Sequence, residues 1–108
     1  MPQGKILVVD DELSMREFLE ILLENQGYEV TIANGGTDAV AKLNASDTVF
    51  DLVLTDLKMP QVDGIQLLEF VKKKHPATDV ILMTAFSTTE NAIKAMKLGA
   101  FDYLTKPF

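Results

Sequence analysis

The sequence predicts an α/β fold built on a five-stranded parallel sheet. Apolar runs and amphipathic segments alternate along the chain in a strand–helix rhythm. Three of the runs are apolar without alternation, as expected of inner parallel strands covered on both faces. These are Ile6-Leu7-Val8-Val9, Leu52-Val53-Leu54 and Val80-Ile81-Leu82-Met83. Glu29 to Ala33 and Asp102 to Thr105 mix polar with apolar residues and are expected to flank the sheet as edge strands.

The helices between them carry readable ends. Ser14 with Glu17, and Ser87 with Glu90, have the S-x-x-E spacing of a capping box and mark the expected starts of helices one and four. Met15, Phe18, Leu19, Leu22 and Leu23 then give helix one an apolar stripe, and Gly27 terminates it. Helix two is expected over Thr37 to Asn44 and helix three over Asp63 to Lys74, where Lys72, Lys73 and Lys74 suit the C-terminal end of the helix dipole. Pro76 stops helix three, and His75, placed after three lysines, is expected as a solvated helix end. The methionines are expected as core filler or loop residues. Internal repeats, low-complexity tracts and linkers are absent from the sequence, so residues 1–108 read as one domain.

Composition narrows the function classes. A chain of 108 residues makes one small domain that buries about 65 % of its unfolded surface. Apolar residues make up 47 % and charged residues 24 %, an ordinary globular balance that argues against disorder and coiled coil. With 16 acidic against 10 basic residues the net charge is −6, which disfavours nucleic acid or an anionic membrane as a direct partner. The early aliphatic run from Ile6 to Val9 is too short for a leader or a membrane span. The lack of cysteine removes disulfides and thiolate metal sites, and a cytoplasmic protein is expected.

Val8-Val9-Asp10-Asp11-Glu12 poses the chemical question: an apolar strand ends in three adjacent carboxylates. Like charges held together repel, by about 1 kcal/mol per pair in water and several times more when partly buried, so a counter-ion is expected. Asp56 follows the third strand just as Asp10 and Asp11 follow the first, Thr84 follows the fourth and Lys106 the fifth. Open parallel sheets bind ligands in the crevice at those carboxyl ends. Oxygen donors without His or Cys specify a hard cation, and Mg²⁺ retaining several waters is the natural choice. Beside it a carboxylate can attack phosphorus to form an acyl phosphate, with the cation and a lysine neutralising the phosphoryl oxygens. Taken singly these residues have plainer readings: Asp10 and Asp11 as acids of a helix N-terminal turn, Asp56 as a loop cap, Thr84 as a strand-end hydroxyl, Tyr103 as edge-strand packing. Their joint placement with Lys106 favours a site.

Four motifs, in order and at matching spacing, carry a resemblance to the response-regulator receiver domains of two-component signalling. They are VVDDE at 8–12, DLVLTDLKMPQVDG at 51–64, ILMTAF at 81–86 and GAFDYLTKPF at 99–108. The resemblance implies a flavodoxin-like, doubly wound (βα)5 fold with strand order 2-1-3-4-5. It implies Asp56 as phosphoacceptor, Asp11 and Asp56 as direct Mg²⁺ ligands, Asp10 as a ligand through water, and the Lys58 carbonyl completing the set. Thr84 and Tyr103 resemble the switch pair, Lys106 would pair with the phosphoryl group, and the Lys106–Pro107 bond is similar to the family's cis peptide. The phosphodonor implied is a sensor histidine kinase, and Lys58 and Phe86 are where the lifetime of the acyl phosphate would be tuned. The wording MTAF and AIKAMKLGAFDYLTKPF resembles receivers of sigma-54-dependent transcription activators. That implies a homodimer, a helix-four/strand-five output surface, and ATPase and DNA-binding domains in the full-length protein. Receivers continue past KPF into a fifth helix, whereas these residues stop at Phe108. The expectation is a domain truncated after strand five, with an apolar sheet face that is covered by self-association or left as an exposed sticky patch.

Two other classes compete with the switch. A Mg²⁺-dependent phosphatase or phosphotransferase would turn over small substrates through the same aspartyl phosphate. The sequence lacks a D-x-D pair after strand one and an insertion to exclude water, which counts against turnover. A phosphate-independent scaffold is opposed by the intact acidic, hydroxyl and lysine positions. No G-x-G-x-x-G or G-x-x-x-x-G-K-[ST] follows strand one, so dinucleotide and P-loop readings lose their phosphate cradle, and Gly35-Gly36 reads as a turn.

Overall fold

The computed structural model describes residues 4–45, 49–57, 59, 61–84 and 89–105. Strands and helices alternate as β1 (Lys5–Val9), α1 (Leu13–Asn25), β2 (Glu29–Ala33), α2 (Gly36–Ala45), β3 (Leu52–Asp56), α3 (Gly64–Lys74), β4 (Asp79–Thr84), α4 (Thr89–Lys97) and β5 (Asp102–Thr105). All five strands are parallel, in the order β2-β1-β3-β4-β5. The doubly wound flavodoxin-like expectation is therefore met, with four helices among the described residues. β2 and β5 lie at the edges, as their mixed composition suggested.

Alternate residues of the inner strands serve two cores, as the two-residue period of a strand requires. Leu7, Val9, Val53, Val80 and Leu82 join Ala39 and Leu43 of α2, Leu67, Leu68 and Val71 of α3, and Ala95 of α4. On the opposite face Ile6, Val8, Leu54 and Met83 meet Leu19 of α1, with Met15 and Leu23 beside it. This second contact is narrower than the predicted stripe. Phe18 is 48 % and Leu22 42 % exposed, and Leu13 and Ile21 are more open still. Only the row Met15, Leu19, Leu23 lies at the i, i+4, i+8 spacing that meets the sheet, so the residues one helical step aside project past its contact.

Helix ends explain where each element stops. α1 begins one residue before Ser14, with Glu12 at the cap position and no side-chain cap, so the predicted Ser14–Glu17 box does not form. The cause lies upstream: Asp10 Oδ1 accepts the Glu12 N–H at 2.9 Å and turns the chain into the helix early. Ser87, expected to cap α4, lies outside the described residues. α1 and α4 close through glycines in the left-handed region, Gly27 at φ 94° and Gly99 at φ 102°. At each, a backbone N–H two residues past the last turn reaches back, Tyr28 to the Leu23 carbonyl at 3.2 Å and Ala100 to the Ala95 carbonyl at 3.0 Å. α3 opens on Asp63, whose carboxylate accepts the Gln66 N–H at 2.9 Å while Gln66 Oε1 accepts the Asp63 N–H at 3.0 Å.

His75 is not the solvated end expected of it. Its backbone N–H caps α3 on the Val71 carbonyl at 2.7 Å. Its ring lies 5.9 Å from the Phe70 ring, tilted by 54°. Nε2 is buried without a hydrogen-bond partner among the described residues. Contact with an apolar neighbour outweighs solvation of the imidazole here. Lys72, from the same basic run, bends back to the Thr78 carbonyl at 3.1 Å and braces the turn into β4. Among the described residues no helix is long and apolar enough to cross a membrane.

Two glycines permit close backbone approaches that place the site loops. A Cβ on Gly64 would run into the Asp56 carbonyl, and one on Gly36 into the Val62 carbonyl. Gly35, by contrast, has open space around its missing Cβ. Gly64→Ala is expected to lower unfolding stability by about 2 kcal/mol or more, because backbone rather than a pliant side chain must move. Gly35→Ala should be neutral or stabilising by about 0.5 kcal/mol through the unfolded chain. Urea midpoints of the two variants beside the parent check this ordering.

Candidate functional site

β1 and β3 pair directly, with Val9 opposite Thr55, so Asp10 and Asp56 leave neighbouring strands at the same edge of the sheet. Side-chain oxygens of Asp10, Asp11 and Asp56 all lie within 4.8 Å of one another. Asp10 is fully buried, Asp56 is 7 % exposed, and Asp11 is exposed. The sheet therefore assembles the carboxylate cluster that the sequence placed only by strand ends. Three charges at that spacing repel by roughly 3 kcal/mol per pair at an effective dielectric near 20. All-oxygen donors, two buried and one open to water, fit a hard divalent cation that keeps part of its hydration shell.

The backbone around the cluster is held on several sides. The Asp10 N–H donates to the Ala33 carbonyl at 3.2 Å, and Arg16 Nη1 donates to the Asp10 carbonyl at 2.8 Å. Arg16, the chain's only arginine, was not singled out in the sequence. Its position one turn into a helix whose other charged residues are all acidic was the available signal. Next to Asp56, Thr55 Oγ1 donates to the Asp56 carbonyl at 3.0 Å, and the Leu57 N–H donates to the Met83 carbonyl at 2.9 Å. The loop from Leu57 returns to its start, since the Gly64 N–H donates to the Leu57 carbonyl at 2.8 Å.

Thr84 ends β4, the strand beside β3, and is 1 % exposed. Tyr103 lies on β5 opposite Leu82, half-buried against the core shared with α2, α3 and α4. Its hydroxyl is buried without a hydrogen-bond partner among the described residues. The strand order thus lines up Asp10, Asp56 and Thr84 along one edge and puts Tyr103 on the next strand. Lys58, Phe86, Lys106 and Pro107 lie outside the described residues.

Beside Asp11 a cleft of about 240 Å³ opens between the loops after β1, β2 and β3, lined by Asn34, Gly35, Gly36, Thr37, Asp38 and Gln61. On its wall Asp38 Oδ2 accepts from Lys42 Nζ at 3.0 Å and from the Asn34 N–H at 3.1 Å. Lys42 Nζ also donates to the Ile32 carbonyl at 2.6 Å, tying α2 to the end of β2. The Lys42 hydrogen bond is the main reason the Asp38 carboxyl titrates below its usual range, with the Asn34 N–H adding to it against a burial penalty. Sequence reading missed this group, because Asp38 and Lys42 show only the i, i+4 spacing of any helical ion pair.

Residues 6–108 match the response regulator receiver domain family. This chain belongs to that family. It is 48 % identical over 109 residues to the transcriptional regulatory protein ZraR of Salmonella typhimurium, covering 99 % of this chain and 24 % of that protein. It is 44 % identical over 108 residues to the DNA-binding transcriptional regulator NtrC of the same organism, covering 100 % of this chain and 23 % of that protein. The chain therefore spans about a quarter of the length of these relatives. Among solved structures, the BeF3-activated DrrB receiver domain superposes with a TM-score of 0.89 at 32 % identity, covering all of this chain and 87 % of that one. The receiver family, expected from the four motifs, and the kinship with sigma-54 activators of the NtrC and ZraR type, expected from MTAF and AIKAMKLGAFDYLTKPF, are both borne out.

The depressed Asp38 carboxyl has a definite pH signature. Its ion pair adds stability above the ordinary value of 3.8, and that increment disappears as pH falls through the lower folded value. Asp38→Asn should therefore be less stable than the parent near neutral pH, and the two should converge in strong acid. Because Asp38 is a third exposed, the gap should be small and shrink with salt. Chemical denaturation from pH 7 to pH 2.5, at low and high ionic strength, reads it.

Proposed function

We propose that the chain is a phosphorylation-activated switch whose phosphoacceptor is Asp56. The observation that carries this reading is the Asp10, Asp11 and Asp56 cluster at the carboxyl edge of neighbouring parallel strands in a receiver-family chain. Asp11 and Asp56 would hold Mg²⁺ directly, Asp10 would hold it through water, and the Lys58 carbonyl would complete the protein ligands. When bound, Mg²⁺ supplies positive charge that offsets the three carboxylates and the oxygens of the incoming phosphoryl group.

One Asp56 carboxylate oxygen attacks phosphorus. The bond from phosphorus to the donor breaks, the new O–P bond forms an acyl phosphate, and the departing group carries the electron pair and takes a proton. Thr84, buried at the end of the adjacent strand, donates its hydroxyl to one phosphoryl oxygen. Lys106 pairs with another, and Tyr103, already half-buried, follows Thr84 inward as the second member of the switch. The natural donor is the phosphohistidine of a sensor histidine kinase. The chain catalyses its own phosphorylation and dephosphorylation and turns over no separate substrate. The altered α4–β5 surface then controls a homodimer and, through ATPase and DNA-binding domains elsewhere in the full-length protein, transcription in the cytoplasm. The names of ZraR and NtrC as transcriptional regulators support that output.

Incubation with Mg²⁺ and a small-molecule phosphodonor should add the mass of one phosphoryl group to the intact chain. The adduct should be absent from Asp56→Asn and from a chelated sample, and free phosphate should appear only slowly afterwards. Sustained release of many equivalents of phosphate from a generic monoester would instead identify a hydrolytic enzyme. An adduct of equal yield in Asp56→Asn would remove Asp56 as the acceptor.

A further inference from the structure

Gln61 is the one non-glycine residue with positive φ among the described residues, at 67°. The left-handed region costs an ordinary L-residue on the order of 1 kcal/mol and persists where the surroundings enforce it. Here the enforcing contacts come from a different element. Thr37 Oγ1, in the first turn of α2, donates to Gln61 Oε1 at 3.1 Å across 24 residues of sequence. Adjacent to it, Gly36 lets the Val62 carbonyl seat where a Cβ would stand. Two consecutive residues of α2 thus clasp two consecutive residues of the loop between β3 and α3.

That loop is bound to Asp56 at its other limits. It leaves directly from Asp56, and Gly64 returns to lie against the Asp56 carbonyl. Gln61 and Thr37 also line the cleft that Asp11 lines. One side-chain hydrogen bond therefore fixes the outer edge of a loop whose inner edge is Asp56, on the side where the exposed carboxylate Asp11 meets water. Without it the left-handed Gln61 is free to relax, and the loop loses its tie to α2 except at Gly36.

We infer that Thr37 and Gln61 are positioning residues for the cation site, a clasp from α2 that pre-sets the loop after Asp56 and so raises affinity for a divalent cation. The inference rests on the proposed reading of Asp10, Asp11 and Asp56 as the cation site. Neither residue touches the reacting atoms. Their contribution is to lower the reorganisation needed when the carboxylates close on the ion.

The test separates positioning from simple stability. Mg²⁺ affinity, by calorimetric titration of the full 108-residue chain, and urea unfolding without Mg²⁺ are measured for the parent, Gln61→Gly, Thr37→Val and Thr37→Ser. Gln61→Gly accepts positive φ without strain, so it should be as stable as the parent or more so while binding Mg²⁺ about fivefold more weakly, the fold-change of one net hydrogen bond. Thr37→Val should lose a similar factor, and Thr37→Ser, which keeps the hydroxyl, should restore it. Parent-like Mg²⁺ affinity in both Gln61→Gly and Thr37→Val would overturn the clasp and leave the cation site standing. So would a loss in Thr37→Ser equal to that in Thr37→Val. A parent that neither binds Mg²⁺ nor gains a phosphoryl adduct would overturn the function reading, and the clasp with it.

Discussion

Three carboxylates that would repel one another are brought to one edge of the sheet by parallel strand pairing. Parallel pairing of β1 with β3 fixes Asp10 and Asp56 side by side, and burial of both removes the water that would otherwise screen them. Much of the surrounding structure serves this arrangement. Arg16 and the Ala33 carbonyl hold the Asp10 backbone, while Thr55 and the close approach of Gly64 hold that of Asp56. These contacts hold the backbone, and the clustering of ionisable side chains that they support is what marks a site.

The two faces of the sheet divide the work. The larger core, shared with α2, α3 and α4, is packed by fully buried Leu67, Leu68 and Val71 and includes the ring of Tyr103 at its margin. Movement of Thr84 toward a phosphoryl group would thus be felt in a core that also holds Ala95 of α4, which gives the proposed switch a short mechanical route to the helix surface. The smaller core under α1 touches the sheet by a single row, and α1 carries Phe18, Ile21 and Leu22 in the open. The proposed output surface lies on the side of the larger core, while the other face presents a helix with apolar surface.

The fold was largely legible because parallel strands buried on both faces write themselves as unbroken aliphatic runs, and β2 and β5 differ from them in the polar residues that an edge admits. Asp10, Asp11, Asp56 and Thr84 were legible for a related reason: each sits at the carboxyl end of such a run, and topology alone brings those ends together. What the sequence concealed depends on contacts between distant segments. The Ser14–Glu17 spacing is correct for a capping box, yet the Asp10 side chain starts the helix earlier. His75 looks solvated among lysines until Phe70 is folded beside it. Phe18 and Leu22 share the helical period of Leu19, but period does not say how wide a strip of the helix the sheet reaches. Gln61 gives no sign of a left-handed backbone, because the hydroxyl that holds it comes from Thr37 in another element.

The measurement that bears most directly on the charge cluster is unfolding stability of the parent and Asp10→Asn, each in chelator and in millimolar Mg²⁺. Asn keeps the oxygen that accepts the Glu12 N–H and removes one charge. Repulsion within the cluster predicts that Asp10→Asn is the more stable of the two in chelator, by about 1 kcal/mol or more. Mg²⁺ should stabilise the parent and leave the variant much less affected, closing or reversing the gap. A variant less stable than the parent in chelator, together with a parent indifferent to Mg²⁺, would show that the three carboxylates are already satisfied by the protein and await no cation.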